Sequence, residues 1–111
     1  MKDTLDKIRS FADLPPGWDY GEGAAISVSV IRAAVEMVRF LVSLGASKID
    51  ASPDATGGVL VAASLRGQYT EVILGHDGLV TVAWRRFQRV SGLSRGAARR
   101  LLSRLATGEV I

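Results

Sequence analysis

The stretch that decides the fold is Val59-Leu60-Val61-Ala62-Ala63-Ser64-Leu65-Arg66-Gly67-Gln68-Tyr69-Thr70-Glu71-Val72-Ile73-Leu74-Gly75-His76-Asp77-Gly78-Leu79-Val80-Thr81-Val82-Ala83-Trp84. Val59 to Leu65 is apolar on both faces and suits a central strand. Arg66-Gly67 reads as a tight turn. Tyr69 to Leu74 alternates, with Tyr69, Glu71 and Ile73 on one face and Thr70, Val72 and Leu74 on the other. Gly75-His76-Asp77-Gly78 carries the hairpin signal, because Asp-Gly readily adopts the positive φ such turns need. A further strand follows from Leu79 to about Trp84, with Trp84 on the core face beside Val80 and Val82. Connections this short allow only an antiparallel meander.

Upstream, Ile49 marks a candidate short strand, and Asp54 to Gly58 reads as a loop. Before that lies a helix capped by Ser27, running to about Leu44 and stopped by Gly45. Its polar residues Ser29, Arg32, Glu36, Arg39 and Ser43 form one narrow stripe. The remaining apolar arc covers roughly 220°, wider than a surface helix needs. It must be covered by the sheet and the other helices, by a second copy in a homodimer, or by a protein partner. A first short helix, capped by Asp3 or Thr4, places Leu5, Ile8, Phe11 and Ala12 on one face and ends before Pro15-Pro16. The loop Leu14–Gly23 joins the two helices.

Downstream, Ser94 caps a last helix over about residues 94–106. Ala98, Leu101, Leu102 and Leu105 face inward, with Arg95 and Arg99, then Arg100 and Arg104, as flanking pairs. The expectation is one α+β domain spanning 1–111. It is an antiparallel three- to four-stranded meander packed against helices, in the order α-α-(β)-β-β-β-α.

Composition bounds the function. The 111 residues include no cysteine, so disulfides, thiolate zinc sites and thiol catalysis are excluded. The N-terminal residues carry Asp3 and Asp6 and no apolar core, so no signal peptide is expected. No run approaches a membrane span. A cytoplasmic protein without a membrane partner fits these features. The net charge of +3 is uneven. Residues 1–57 hold six Lys/Arg and eight Asp/Glu, a sum of −2; residues 58–111 hold eight Arg and three Asp/Glu, a sum of +5. The cluster Arg85, Arg86, Arg89, Arg95, Arg99, Arg100 and Arg104 is therefore a candidate nucleic-acid contact, or else a solvated helix face.

No catalytic constellation emerges. His76, the only histidine, has Asp77 beside it in a hairpin turn, but adjacent turn residues rarely orient one another. Asp13, Asp19 and Glu22 lack the spacing of a calcium loop. Gly21-x-Gly23 lacks the further glycine or Lys-Ser/Thr of a phosphate loop, so no cofactor is expected. The aromatic pair around Asp19 has two readings. Trp18 plugs the core edge and fixes the loop, or Trp18, Asp19 and Tyr20 form an exposed protein-contact patch.

The run Leu14-Pro15-Pro16-Gly17-Trp18-Asp19, the helix opening at Ser27, and Gly57-Gly58-Val59 with Gly78 resemble a set of small uncharacterised bacterial proteins with an LPPGWDG-type motif. The likeness covers roughly residues 5–84, and Tyr20 stands where that set usually has glycine. It implies a bacterial origin and an α+β fold, and it carries over no activity to this chain. Two local likenesses concern Gly92 to Leu102. This segment is similar to the recognition helix of winged-helix regulators. It also resembles the start of the last helix in double-stranded-RNA-binding domains, where Ser94, Arg95, Ala98 and Arg99 match and Gly96 does not. Leu65 to Gln68 is too short for the histidine-bearing loop of the latter. Strand-like residues before Arg85 replace the two helices that precede a winged helix. The leading expectation is a non-catalytic binding protein of antitoxin, immunity or accessory-factor type that acts on one protein partner. Nucleic-acid binding through the arginines is the alternative.

Overall fold

A computed structural model describes residues 2–85 and 88–109. Helix α1 (Lys2–Ser10) runs into a short 3-10 turn (Phe11–Asp13) and is followed by α2 (Val28–Ser43). Then come β1 (Ser47–Pro53), β2 (Val59–Leu65), β3 (Gln68–Leu74), β4 (Val80–Trp84) and β5 (Gln88–Leu93), and finally α3 (Arg95–Thr107). The five strands form one antiparallel sheet in the order β1-β2-β3-β4-β5. The α+β meander expected from the sequence is present, with one strand more at its C-terminal edge. Gln88–Leu93 has only Val90 and Leu93 as large apolar residues, too little alternation to announce a strand.

One face of the sheet is the core. Val59, Val61, Ala63 and Leu65 of β2, Thr70, Val72 and Leu74 of β3, and Val80, Val82 and Trp84 of β4 are all buried there. The opposite face, with Leu60, Ala62, Glu71, Ile73, Thr81 and Ala83, is only half-buried. It is shielded by neighbouring strands rather than by a second layer. The apolar character of β2 on both sides therefore marks a strand flanked by two others, not one sandwiched between layers.

Helix α2 lies across β2 and β3, and α3 across β4 and β5. Most of the wide apolar arc of α2 is buried within the chain, at Val30, Ile31, Ala33, Ala34, Val35, Met37, Val38 and Leu41, whereas Phe40 and Leu44 are half-buried and Val42 is exposed. The Ser27 hydroxyl accepts from Val30 N–H, and the Ser94 hydroxyl accepts from Ala97 N–H, so both expected caps form. Helix α3 stops at Gly108, whose φ of +79° suits a left-handed cap. The first helix departs from expectation. It already includes Lys2, so Asp3 and Thr4 lie within its first turn, and Ala12 is exposed while Ile8 and Phe11 are buried.

Helix α1 is clasped to the β1 edge. The Thr4 hydroxyl donates to the Ile49 carbonyl at 3.2 Å, and Lys7 Nζ donates to Asp50 Oδ1 at 2.9 Å. The Lys7 bond, helped by Ala51 N–H, holds the Asp50 carboxyl below its usual value of 3.8. The folded group ionises more readily than the unfolded one. Its contribution is therefore present above that value and is lost as pH falls through the folded pKa. Corrected for intrinsic rates, amide exchange in α1 should rise as the pH drops below 3.8. Asp50→Asn should show the raised exchange already at neutral pH. Identical α1 protection in variant and parent would show that the clasp does not hold the helix.

Candidate functional site

The Leu14–Gly23 loop folds back on itself. Gly17 N–H donates to Gly23 O at 2.8 Å, and Asp19 and Glu22 exchange both backbone bonds, at 2.7 and 2.9 Å. Tyr20 and Gly21 form the two-residue apex with φ of +51° and +89°. Both signs are positive, as the primed hairpin turns require. Trp18 is half-buried; its indole Nε1 donates to the Ala24 carbonyl at 2.8 Å, and its ring lies against Gly23. A Cβ at Gly23 would stand 2.8 Å from Trp18 Cε2. Trp18 therefore staples its own loop and is not a plug in the main core. Ala24 N–H in turn donates to Ala55 O, which ties the loop to the β1–β2 turn.

Tyr20 is the outcome of that scaffold. Its side chain is fully exposed at the apex, with a relative exposure of 103%. A left-handed backbone costs a bulky residue roughly 1–2 kcal/mol, and glycine avoids that cost. Asp19 is half-buried beside it. Of the three residues proposed as a contact patch, Tyr20 is presented outright, Trp18 builds the base, and Asp19 closes the turn.

The arginines are dispersed. Arg99 turns toward α2, 3.6 Å from Glu36 Oε2 and 5.6 Å from the centre of the Phe40 ring. Arg95 lies beside the β3–β4 turn, lining a cleft with Ser29, His76 and Leu79. Arg85 sits at the other end of the sheet with Arg66, Gln68, Leu105 and Gly108. Arg89 pairs with Ala83 and so lies on the sheet face opposite the helices. Arg100 and Arg104 are exposed on α3. Arg86, like the aromatic Phe87, lies outside the described residues. The cluster in sequence is thus split among α2 contacts, two ends of the sheet and both of its faces.

Charge counting by halves hid two groupings. Arg66 crosses from the β2–β3 turn to lie against Gly108 at the end of α3, where cations suit the helix dipole. Arg9, Arg32 and Arg39 line a shallow cleft along α2, although they belong to the acidic half of the chain. The i, i+7 spacing of Arg32 and Arg39 was the available signal for that second group.

His76 is exposed at its hairpin turn. The Asp77 carboxylate accepts from Leu79 N–H at 3.0 Å and shapes the turn. The cleft next to it encloses about 30 Å³, room for one or two waters and far below the size of a ligand pocket. Among the described residues, no three acidic or histidine side chains converge as metal ligands. Among the described residues, no helix is long and apolar enough to cross a membrane. Family models, curated proteins and solved structures contain no match to this chain.

Proposed function

We propose that this protein is a non-catalytic binding module of antitoxin, immunity or accessory-factor type, and that it engages one protein partner through the Trp18-Asp19-Tyr20 turn. One observation carries the reading. An aromatic side chain is held fully in solvent, on a rigid base, at a backbone position where glycine would relieve strain. Strain at an exposed, well-supported residue points to use. Tyrosine supplies large contact area with little side-chain entropy to lose, which suits an interface anchor. The dispersal of the arginines supports phosphate binding less well, because backbone phosphates need cations arrayed on one side.

Tyr20→Gly separates binding from folding. The substitution relieves the left-handed strain, so the unfolding free energy should stay level or rise by up to about 1 kcal/mol. Crosslinking capture from a bacterial lysate, run in parallel with parent and variant, reads the contact. A protein retained by the parent and lost by Tyr20→Gly is the expected result. Equal capture by both, or capture by neither, removes the turn as the binding surface.

A further inference from the structure

The two edges of the sheet are built differently. Strand β1 is blunted: its register is irregular between Ser47 and Asp50, it ends in Pro53, and α1 lies along it through the Thr4 and Lys7 contacts. Bulges, proline and a covering helix are the devices by which proteins close an edge to further pairing. Strand β5 also shifts register, between Val90 and Leu93 where Gly92 has φ of +69°, but it has no proline, and among the described residues no side chain bonds to its backbone. Its pairing with β4 is regular from Gln88 to Val90. Its outer side is a row of backbone donors and acceptors open to another strand.

Side chains around this edge say what kind of strand would fit. Ala51, Val61, Val72, Val82 and Val90 form one inward row across the sheet. The first four are at most 4% exposed, whereas Val90 is 37% exposed. The row ends without a neighbour to cover it. Helix α3 turns Arg99 toward α2 and Ala98 and Leu102 toward the sheet. At about 100° per residue, Ala97 and Leu101 then fall on the flank away from α2, above the free side of β5. Both are half-buried. Arg100 and Arg104 form the rim on that side, and Arg89 stands on the opposite sheet face. Among the described residues none of these three arginines has an acidic partner.

We infer that the β5 edge takes up an extended acidic segment of a protein partner as a sixth strand. Backbone pairing supplies the attachment, and alternate side chains supply the selection. One set of the incoming residues would be apolar, against Val90, Ala97 and Leu101. Carboxylates would meet Arg89 on one face and Arg100 and Arg104 at the rim. The same arginines would repel a second copy of this edge. This surface is separate from the Tyr20 turn, so Tyr20→Gly should leave it unchanged and either reading can fail alone.

The test uses the full chain and a labelled peptide alternating glutamate and valine. It should bind and protect the β5 amides from hydrogen exchange. Arg89→Glu combined with Arg104→Glu should weaken binding by about tenfold or more, as for charges at an interface rim. N-methylating alternate peptide bonds should abolish binding in one phase and spare it in the other, because only one edge of a strand pairs. Absence of binding, equal binding of a lysine-valine peptide, or indifference to methylation in both phases would overturn the proposal. So would a single-stranded oligonucleotide that binds through the same arginines when the acidic peptide leaves β5 unprotected.

Discussion

Gly58→Ala should destabilise the fold by about 2–3 kcal/mol, the upper part of the range for forcing extra bulk into a packed position. Gly58 lies immediately before β2, where Val59 pairs with Leu74. A Cβ there would stand 2.6 Å from the Leu74 carbonyl oxygen. That oxygen is backbone and cannot swing aside, so relief requires β2 to shift against β3. The shift would also disturb the β1–β2 turn, where Asp54 N–H donates to Gly58 O at 2.9 Å. Gly67→Ala is the comparison. Gly67 has φ of +75° but nothing within 4 Å of its Cβ position, so only the left-handed strain of about 1–2 kcal/mol applies. Denaturant unfolding of both variants gives the ranking. If Gly58→Ala lost less than Gly67→Ala, close backbone approach would not be the reason for glycine at 58.

The contrast between these glycines shows what a sequence can and cannot tell. Turn chemistry is local, so Arg66-Gly67 and Gly75 to Gly78 announced their hairpins, and Ser27 and Ser94 announced their caps. The core strands were legible because Val59 to Leu74 is apolar enough to fix its own register. Strand β5 was not legible. Most of its side chains face solvent, and its strand conformation comes from pairing with β4, a tertiary effect. The same limit applies to the candidate surfaces. Proximity in sequence made the arginines look like one patch, but α3 rotates successive residues by about 100°, which sends Arg99 and Arg100 in different directions. Trp18 could be named, but whether it served the core or the loop depended on Gly23 and Ala24 closing against it. The exposure of Tyr20 followed from its turn, and only the unusual choice of residue in a glycine-favouring segment hinted at it.

The rotation of α3 also sets the second large effect. Leu102 is fully buried beneath the helix, and Leu102→Ala should cost about 3 kcal/mol, within the range for leucine truncation in cores. Arg100→Gln and Arg104→Gln should each stay within about 0.5 kcal/mol, since exposed helix charges contribute little. Arg99→Gln should fall between them, because it loses both the Glu36 contact and the stacking on Phe40. A helix that stood free of the core to read nucleic acid would give a different order. Its leucine would matter little to folding, and its arginines would be interchangeable. Helix α3 instead covers β4 and β5 and reaches α2 through Arg99. Thermal or denaturant unfolding of the four variants measures the order directly. A loss below about 1 kcal/mol for Leu102→Ala would mean that α3 is docked weakly, and the flank it presents above β5 could then no longer be treated as a fixed part of a binding edge.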